Sequence, residues 1–186
     1  MRVKGTAFMA RKALLQEELG ADGFEAFFGE FVARHPDWPR PILATSTIPI
    51  DVFLALNDAV VERFFDGDEL SYWRFGRQSA EWALIDGPYR RIREERDLDR
   101  FVASAPSLYR NYFTEGSARS EIADDGTVHL WIEEIPREHH HVYFEYAIVG
   151  YFERGLALVS DRPVEHERLE GFSAGDERVH YRYRFG

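Results

Sequence analysis

The chain of 186 residues contains no cysteine, and this absence excludes several chemistries. Disulfide bonds, thiolate zinc sites, iron–sulfur clusters and a cysteine nucleophile all need that residue. Basic residues are also outnumbered, 23 against 33 acidic ones, which gives a formal net charge of −10. Because an acidic surface repels nucleic acid and anionic membrane surfaces, we expect neither as a partner.

Long apolar runs are absent as well. The opening MRVKGTAFMARK lacks the apolar segment of a secretory signal, and no run reaches the ~18 residues of a spanning helix. We therefore expect a cytoplasmic protein without membrane insertion.

Recognisable catalytic motifs are also missing. Ser79, Ser107 and Ser117 lie in no Gly-x-Ser-x-Gly turn. The phosphate-binding motif Gly-x-x-x-x-Gly-Lys is absent as well. The carboxylates are scattered through amphipathic segments, which is typical of solvated helix faces. The sequence therefore favours a protein that is not an enzyme.

What the chain does have is apolar and aromatic bulk. Hydrophobic residues make up 45% of it, and it contains fifteen Phe, nine Tyr and four Trp. That composition is enough for one well-buried core, and no stretch resembles a linker. We predict a single domain over residues 1–186, with a helical half at about 1–116 and a sheet half at about 117–186.

In the helical half, apolar side chains recur at three- and four-residue steps. The helices predicted from this spacing are Thr6–Leu19, Phe24–Arg34, Ile50–Phe65, a central one from Ser71 to Gly87, and shorter segments at Tyr89–Arg96, Asp97–Ala105 and Ser107–Thr114.

The central helix carries a line of small residues, Gly76, Ala80, Ala83 and Gly87. Such a line admits either a second helix or a ligand close to the backbone, and packing rules favour the helix. We expect Gly87 to end the helix in the left-handed conformation. Arg77 and Glu81, four residues apart, are expected to pair at the surface.

In the sheet half the period changes to two. Alternation around Asp124-Asp125-Gly126 predicts a hairpin of Arg119–Ala123 and Thr127–Ile135, with the second strand in the interior of a sheet. A helix at Val142–Val159 and strands at Val164–Phe172 and Arg178–Phe185 follow. The fold class is α+β: an N-terminal helical bundle packed on a C-terminal four-stranded antiparallel sheet, β-β-α-β-β.

One histidine cluster, His139-His140-His141, stands before the last predicted helix, with Glu138 and Glu145 nearby. His141 and Glu145 have the four-residue spacing of two metal ligands on a helix, and His129 is the nearest further ligand. However, the side chains of three consecutive residues point in different directions around the start of a helix, so the three histidines cannot easily share one metal ion. A polar, pH-sensitive cap of the helix is therefore favoured over a metal site.

Several strings resemble a known superfamily. They are VKGTAF at 3–8, DGTVHLW at 125–131, VGYFERG at 149–155 and the closing pair of strands. The chain resembles the superfamily of haem-dependent nitric-oxide/oxygen-binding domains, vinyl-reductase-type small-molecule-binding domains and vesicle-tethering TRAPP subunits. Within it, GRQSAEW at 76–82 and GFSAGD at 171–176 resemble a myxobacterial family.

The resemblance implies cofactor sites that this chain lacks. Haem-binding members ligate iron through a histidine on the helix before the hairpin, but no histidine occurs between His35 and His129. Their Tyr-x-Ser-x-Arg motif for the propionates corresponds here to Ile132, Glu134 and Pro136. The cysteine cluster of vinyl-reductase-type domains is also absent. We therefore expect no haem and no other cofactor.

The resemblance favours a non-catalytic sensor or carrier that binds a small apolar molecule between helices and sheet. Its expected lining is Trp73, Trp82, Tyr89, Tyr109, Tyr112, Trp131 and Tyr151. The same rings could instead fill the interior, and a filled interior is the simpler packing. The alternative function is then a dimeric scaffold or adaptor, which self-pairs like the superfamily's dimeric members and binds a protein partner.

Overall fold

The computed structural model describes all residues 1–186 and divides them into two compact units. The first unit comprises residues 1–68 and 111–114, and the second comprises 69–110 and 115–186. Most of the predicted helical half after residue 68 thus belongs to the unit that contains the large sheet. The single domain stays a prediction.

Two helices form most of the first unit, α1 (Gly5–Arg34) and α2 (Ile50–Phe64). The two predicted N-terminal helices are the two segments of α1, which bends at Gly20, where the backbone has φ 73° and ψ 158°. Glycine tolerates this positive φ because it has no Cβ. The phenylalanines of the second segment lie at helical spacing, and Phe24, Phe27 and Phe31 are at 2% exposure or less while Phe28 is half-buried.

A short antiparallel pair, β1 (Arg2–Lys4) and β2 (Thr47–Pro49), completes the first unit. The sequence did not predict it, because three residues are too few to show a period. Trp38, in the proline-rich connector, is buried among the rings of Phe8, Phe28 and Phe31.

The second unit contains the remaining helices apart from the end of α6. They are α3 (Leu70–Glu81) with a π-helical turn at Trp82–Asp86, α4 (Arg90–Glu94), α5 (Leu98–Ala103), α6 (Ala105–Tyr112) and α7 (Val142–Ser160). No helix of the chain combines the length and the apolar character that crossing a membrane requires.

The predicted four-stranded antiparallel sheet is confirmed, and with it the α+β class. Its strands are β3 (Ser117–Ile122), β4 (Val128–Glu133), β5 (Val164–Glu170) and β6 (Val179–Phe185), in the order β3-β4-β6-β5. β4 lies in the interior of the sheet, as its bulky residues on both faces predicted. β5 is an edge strand, and most of its side chains are exposed.

Two glycines set the contact between α3 and α7. A Cβ at Gly76 would lie 2.0 Å from the carbonyl oxygen of Ala147, and a Cβ at Gly150 would lie 2.5 Å from that of Trp73. Each helix therefore presents a glycine to the backbone of the other. The line of small residues serves helix packing, as favoured, and a ligand is not needed to explain it.

Two details of the predicted central helix were wrong. Gly87 does not adopt the left-handed conformation: its φ is −96°, and its missing Cβ instead makes room for Ala83 and for the carbonyl of Trp82. Arg77 and Glu81 do not pair with each other. α7 offers each of them a partner, so Arg77 bonds Glu153 and Glu81 bonds Arg154.

We predict that Gly76→Ala and Gly150→Ala destabilise the protein by about 3 kcal/mol or more, because a methyl group forces the two helix backbones apart. Urea unfolding followed by circular dichroism measures the change.

Gly29→Ala is the matched control. Gly29 is exposed within α1, where a Cβ meets nothing within 4 Å, so it should stabilise by roughly 0.5–1 kcal/mol through helix propensity. Equal effects at all three glycines would contradict the close crossing.

Candidate functional site

The second unit buries two carboxylates on one helix, which makes α7 the first place to look for chemistry. Glu145 is fully buried, and Glu153 is 6% exposed. An unpaired buried charge is costly, so the partners of each carboxylate indicate what it does.

The donors to Glu145 come from strand β5 and from the loop after it. Arg168 Nη1 donates to its Oε2 at 2.8 Å, the Ser173 hydroxyl donates to the same oxygen at 2.8 Å, and the Ser173 backbone N–H donates to Oε1. Gly171 lies directly above, where a Cβ would be 2.7 Å from Oε2. The hydrogen bonds of this carboxylate therefore join β5 and the β5–β6 connection to α7.

Glu153 is satisfied by α3. The indole Nε1 of Trp73 donates to its Oε2 at 2.8 Å, and Arg77 Nη1 donates to Oε1 at 3.1 Å. The Trp73 ring also packs on His166, with ring centroids 4.3 Å apart. The bonds of Glu153 therefore join α3 to α7.

Two tyrosines of β6 lie beside this helix. Burial raises the pKa of Tyr183 well above its usual value, and burial is also the main cause of the raised pKa of Tyr181. The Tyr183 hydroxyl donates to the carbonyl of Val149 at 3.3 Å. Both phenols are therefore neutral at physiological pH and serve packing and hydrogen bonding.

Three serine hydroxyls of this unit have identified hydrogen-bond acceptors, and that of Ser173 is the Glu145 carboxylate described above. Ser79 Oγ donates to the carbonyl of Phe75, and Ser107 Oγ donates to that of Ser104. The two buried carboxylates are occupied by arginine, indole and serine donors.

The seven predicted lining residues occupy different surroundings. Trp73 is half-buried against Glu153 and His166, whereas Trp131 is buried on β4 beneath the guanidinium of Arg119, 3.5 Å from its ring centroid. The two tryptophans thus have no neighbour in common among these contacts.

The other five predicted residues differ in exposure. Trp82, on the π-helical turn, is 55% exposed, and Tyr89 and Tyr151 are half-buried. Tyr109 is buried, and its hydroxyl donates to the carbonyl of Glu115 at 3.0 Å. Tyr112 is half-buried and belongs to the first unit. The aromatic lining stays a prediction.

The histidine cluster supports local structure. His141 Nδ1 accepts from the backbone N–H of Tyr143 at 3.0 Å, so it caps α7 as favoured. His140 stacks on Phe172 with centroids 3.8 Å apart, and its Nε2 lies 3.1 Å from the carbonyl of Ile135. No group of three or more His, Asp or Glu side chains gathers around a metal-sized space.

The first unit carries an open groove of about 680 Å³ between α1 and α2. Its floor is apolar, and Arg63 crosses it to bond Glu30 at 2.6 Å. The lining residues are Phe27, Glu30, Ala33, Arg34, Ala59, Glu62 and Arg63. None of them is a predicted ligand contact.

Comparison with family models and with curated proteins by sequence finds no match. Comparison with solved structures identifies the fold: the chain has the fold of H-NOX domains, the haem-nitric-oxide/oxygen-binding fold that the resemblance implied.

An H-NOX protein from S. oneidensis in the Fe(II)NO ligation state matches with a TM-score of 0.75 at 10% identity, covering 98% of this chain and 99% of the other. A mutant of T. tengcongensis H-NOX matches at 0.69 and 17%, covering 98% and 97%. A mutant of Cs H-NOX that carries the unnatural amino acid 4-cyano-L-phenylalanine matches at 0.69 and 17%, covering 98% and 96%. Identities this low indicate a shared fold only.

The residues of this chain do not fit a histidine-ligated haem. The helices that precede the hairpin, α4 to α6, contain no histidine, cysteine or methionine. The phenol of Tyr109 is bonded to a backbone carbonyl, and burial raises its pKa, so it is not a ready phenolate ligand. At the positions that the resemblance matches to the propionate motif, Ile132 is fully buried and Glu134 is an exposed acid, so neither offers a hydroxyl or cationic donor.

Sequence reasoning missed two features of the second unit. The buried acids Glu145 and Glu153 were indistinguishable from surface carboxylates, although Glu145 lies in an otherwise apolar stretch. It also missed that His129 contacts His180 of β6, at 2.8 Å between Nδ1 and Nε2. The only sequence signal for this contact was that His129 and His180 each lie on the polar side of a predicted strand.

We predict that Glu145→Ala destabilises the protein by about 2–3 kcal/mol, because Arg168 and the Ser173 N–H lose their acceptor. Glu138→Ala, at an exposed position before α7, should change stability by less than about 0.5 kcal/mol. Thermal and urea unfolding measure both, and similar losses for the two variants would contradict the role of Glu145.

We predict that His141→Ala lowers the free energy of unfolding by about 1 kcal/mol, since the first turn of α7 loses its side-chain acceptor. His141→Asn should recover most of the loss, because asparagine is a good N-cap. Urea unfolding of the three proteins at one pH measures this, and failure of asparagine to rescue would argue against the cap.

Proposed function

We propose that this protein is a non-catalytic sensor or carrier domain of the H-NOX fold that binds a small apolar molecule without haem. The observation that carries the proposal is the structural match, which extends over 98% of the chain at a TM-score of 0.75. The S. oneidensis protein was solved in its Fe(II)NO ligation state, so a domain of this fold holds a small ligand.

The haem-free part of the proposal is supported by residue chemistry. A proximal ligand is missing from α4 to α6, and an acid and two apolar residues stand where the resemblance places the propionate motif. Haem iron needs an axial donor, and the propionates need cationic or hydroxyl partners. An apolar organic molecule needs neither. The seven predicted aromatic residues remain the proposed contacts for it.

We predict that added haemin produces no saturable, one-to-one Soret shift. The reason is that no axial donor is available for the iron. Any binding of haemin should therefore be weak and non-stoichiometric, and albumin should remove the haemin. A haem-containing H-NOX domain treated in the same way serves as positive control. A stoichiometric complex with a six- or five-coordinate spectrum would overturn the haem-free proposal.

A second candidate, a self-pairing interaction module, is favoured by one observation. Trp82 is 55% exposed and Ile85 is 37% exposed on the same π-helical turn, and large apolar side chains at a surface often mark contact sites. Native mass spectrometry of the protein from its own host separates the two functions. A retained small mass supports the sensor, and a ligand-free dimer that Trp82→Ser dissociates supports the module.

A further inference from the structure

Two histidines meet on the outer face of the sheet, away from α7. His129 on β4 lies diagonal to His180 on β6, since Trp131 is the residue paired with His180 and Arg182 the one paired with His129. Nδ1 of His129 and Nε2 of His180 are 2.8 Å apart, and the Trp131 ring stacks on both imidazoles, with centroids at 5.4 and 4.5 Å.

The turn of the hairpin fixes the tautomer of His129. Thr127 Oγ1 donates its only hydrogen to Asp125 Oδ1 at 2.7 Å, so it accepts from the His129 Nε2–H, 3.3 Å away. In the neutral ring Nδ1 is then an acceptor, and in the metal-free protein it accepts a hydrogen bond from the His180 Nε2–H at 2.8 Å. Histidine ligands of metals are commonly oriented in this way, by a hydrogen bond from the ring nitrogen that does not bind the metal.

The positive charges around the pair are compensated. Arg119 bonds Glu133 at 3.1 Å, Arg178 bonds both Glu170 and Glu133, and Arg182 bonds Glu167. Asp125 adds a carboxylate behind His129. Three arginines lie close to the histidine pair, but each is bonded to a glutamate. The net electrostatic repulsion that a bound cation would meet is therefore small.

We propose that His129 and His180 form a chelating site for a divalent transition metal of tetragonal geometry, Cu²⁺ above Ni²⁺. Two nitrogens in adjacent positions of such an ion, at about 2.0 Å from it, lie about 2.8 Å apart. The hydrogen-bonded pair already has this N–N distance, and the metal takes the place of the hydrogen bond when both lone pairs turn toward it. The hydrogen of His180 Nε2 moves through water to its Nδ1, so both neutral rings present lone pairs. Water fills the remaining positions.

The site is independent of the ligand-binding function proposed above. It uses the outer face of the sheet and none of the helices, and it needs no haem. The metal bound here would link the two central strands of the sheet, β4 and β6, so its occupancy would raise the stability of the second unit.

The probe is Cu²⁺ in a non-coordinating buffer, followed by isothermal titration calorimetry and tryptophan fluorescence. We expect one strong site per chain and quenching of Trp131, whose ring lies against both imidazoles. His129→Ala and His180→Ala should each weaken binding at least tenfold. Thr127→Val, which removes only the orienting hydroxyl, should weaken it about tenfold.

His166→Ala is the matched control, because His166 also stacks on a tryptophan, Trp73, but has no second imidazole; it should leave the affinity unchanged. His180→Gln keeps the size of the side chain should His180→Ala fail to fold. The proposal is overturned if Cu²⁺ binds with unchanged affinity to folded His129 and His180 variants, or if only substitutions at His139–His141 abolish binding.

Discussion

The crossing of α3 and α7 at Gly76 and Gly150 is the contact on which the second unit depends. Because each helix lacks a side chain where it meets the other, carbonyl and amide groups of the two backbones come within van der Waals distance. Such an approach orders both helices over several turns, and it positions Trp73 and Arg77 beside Glu153. Little freedom is left for either helix to slide or rotate.

Packing α7 between α3 and the sheet explains its buried acids. A helix covered on several sides has little solvent-facing surface for polar residues, so Glu145 and Glu153 have to find donors within the protein. Their donors come from different elements: β5 and the β5–β6 connection for Glu145, and α3 for Glu153. The elements that surround α7 are therefore selected by these two carboxylates as well as by the apolar face of the helix.

Local sequence patterns were enough to predict much of this fold. The Asp-Gly turn predicted the hairpin, the 3.6-residue period predicted α2 and α7, and the bulk on both faces of β4 predicted its interior place. The features that were missed depend on residues far apart in the chain. β1 and β2 are separated by more than forty residues, and Arg77 pairs with Glu153 instead of the nearer Glu81.

The same distinction holds for the candidate sites. The capping role of His141 followed from its place before a helix, whereas the His129–His180 contact requires strand register that periodicity does not supply. The lack of histidine between His35 and His129 was visible at once, because it is evident from the sequence alone.

The charged edge strand β5 has a consequence for how copies of this protein can associate. Its exposed backbone could in principle extend the sheet with a second molecule. In the symmetric antiparallel alignment, however, Glu167 would face its own copy, and His166 would face Arg168. Like charges directly opposite each other destabilise such ladders. The repeated charges of β5 therefore disfavour this pairing and act against growth of the sheet into intermolecular β-structure.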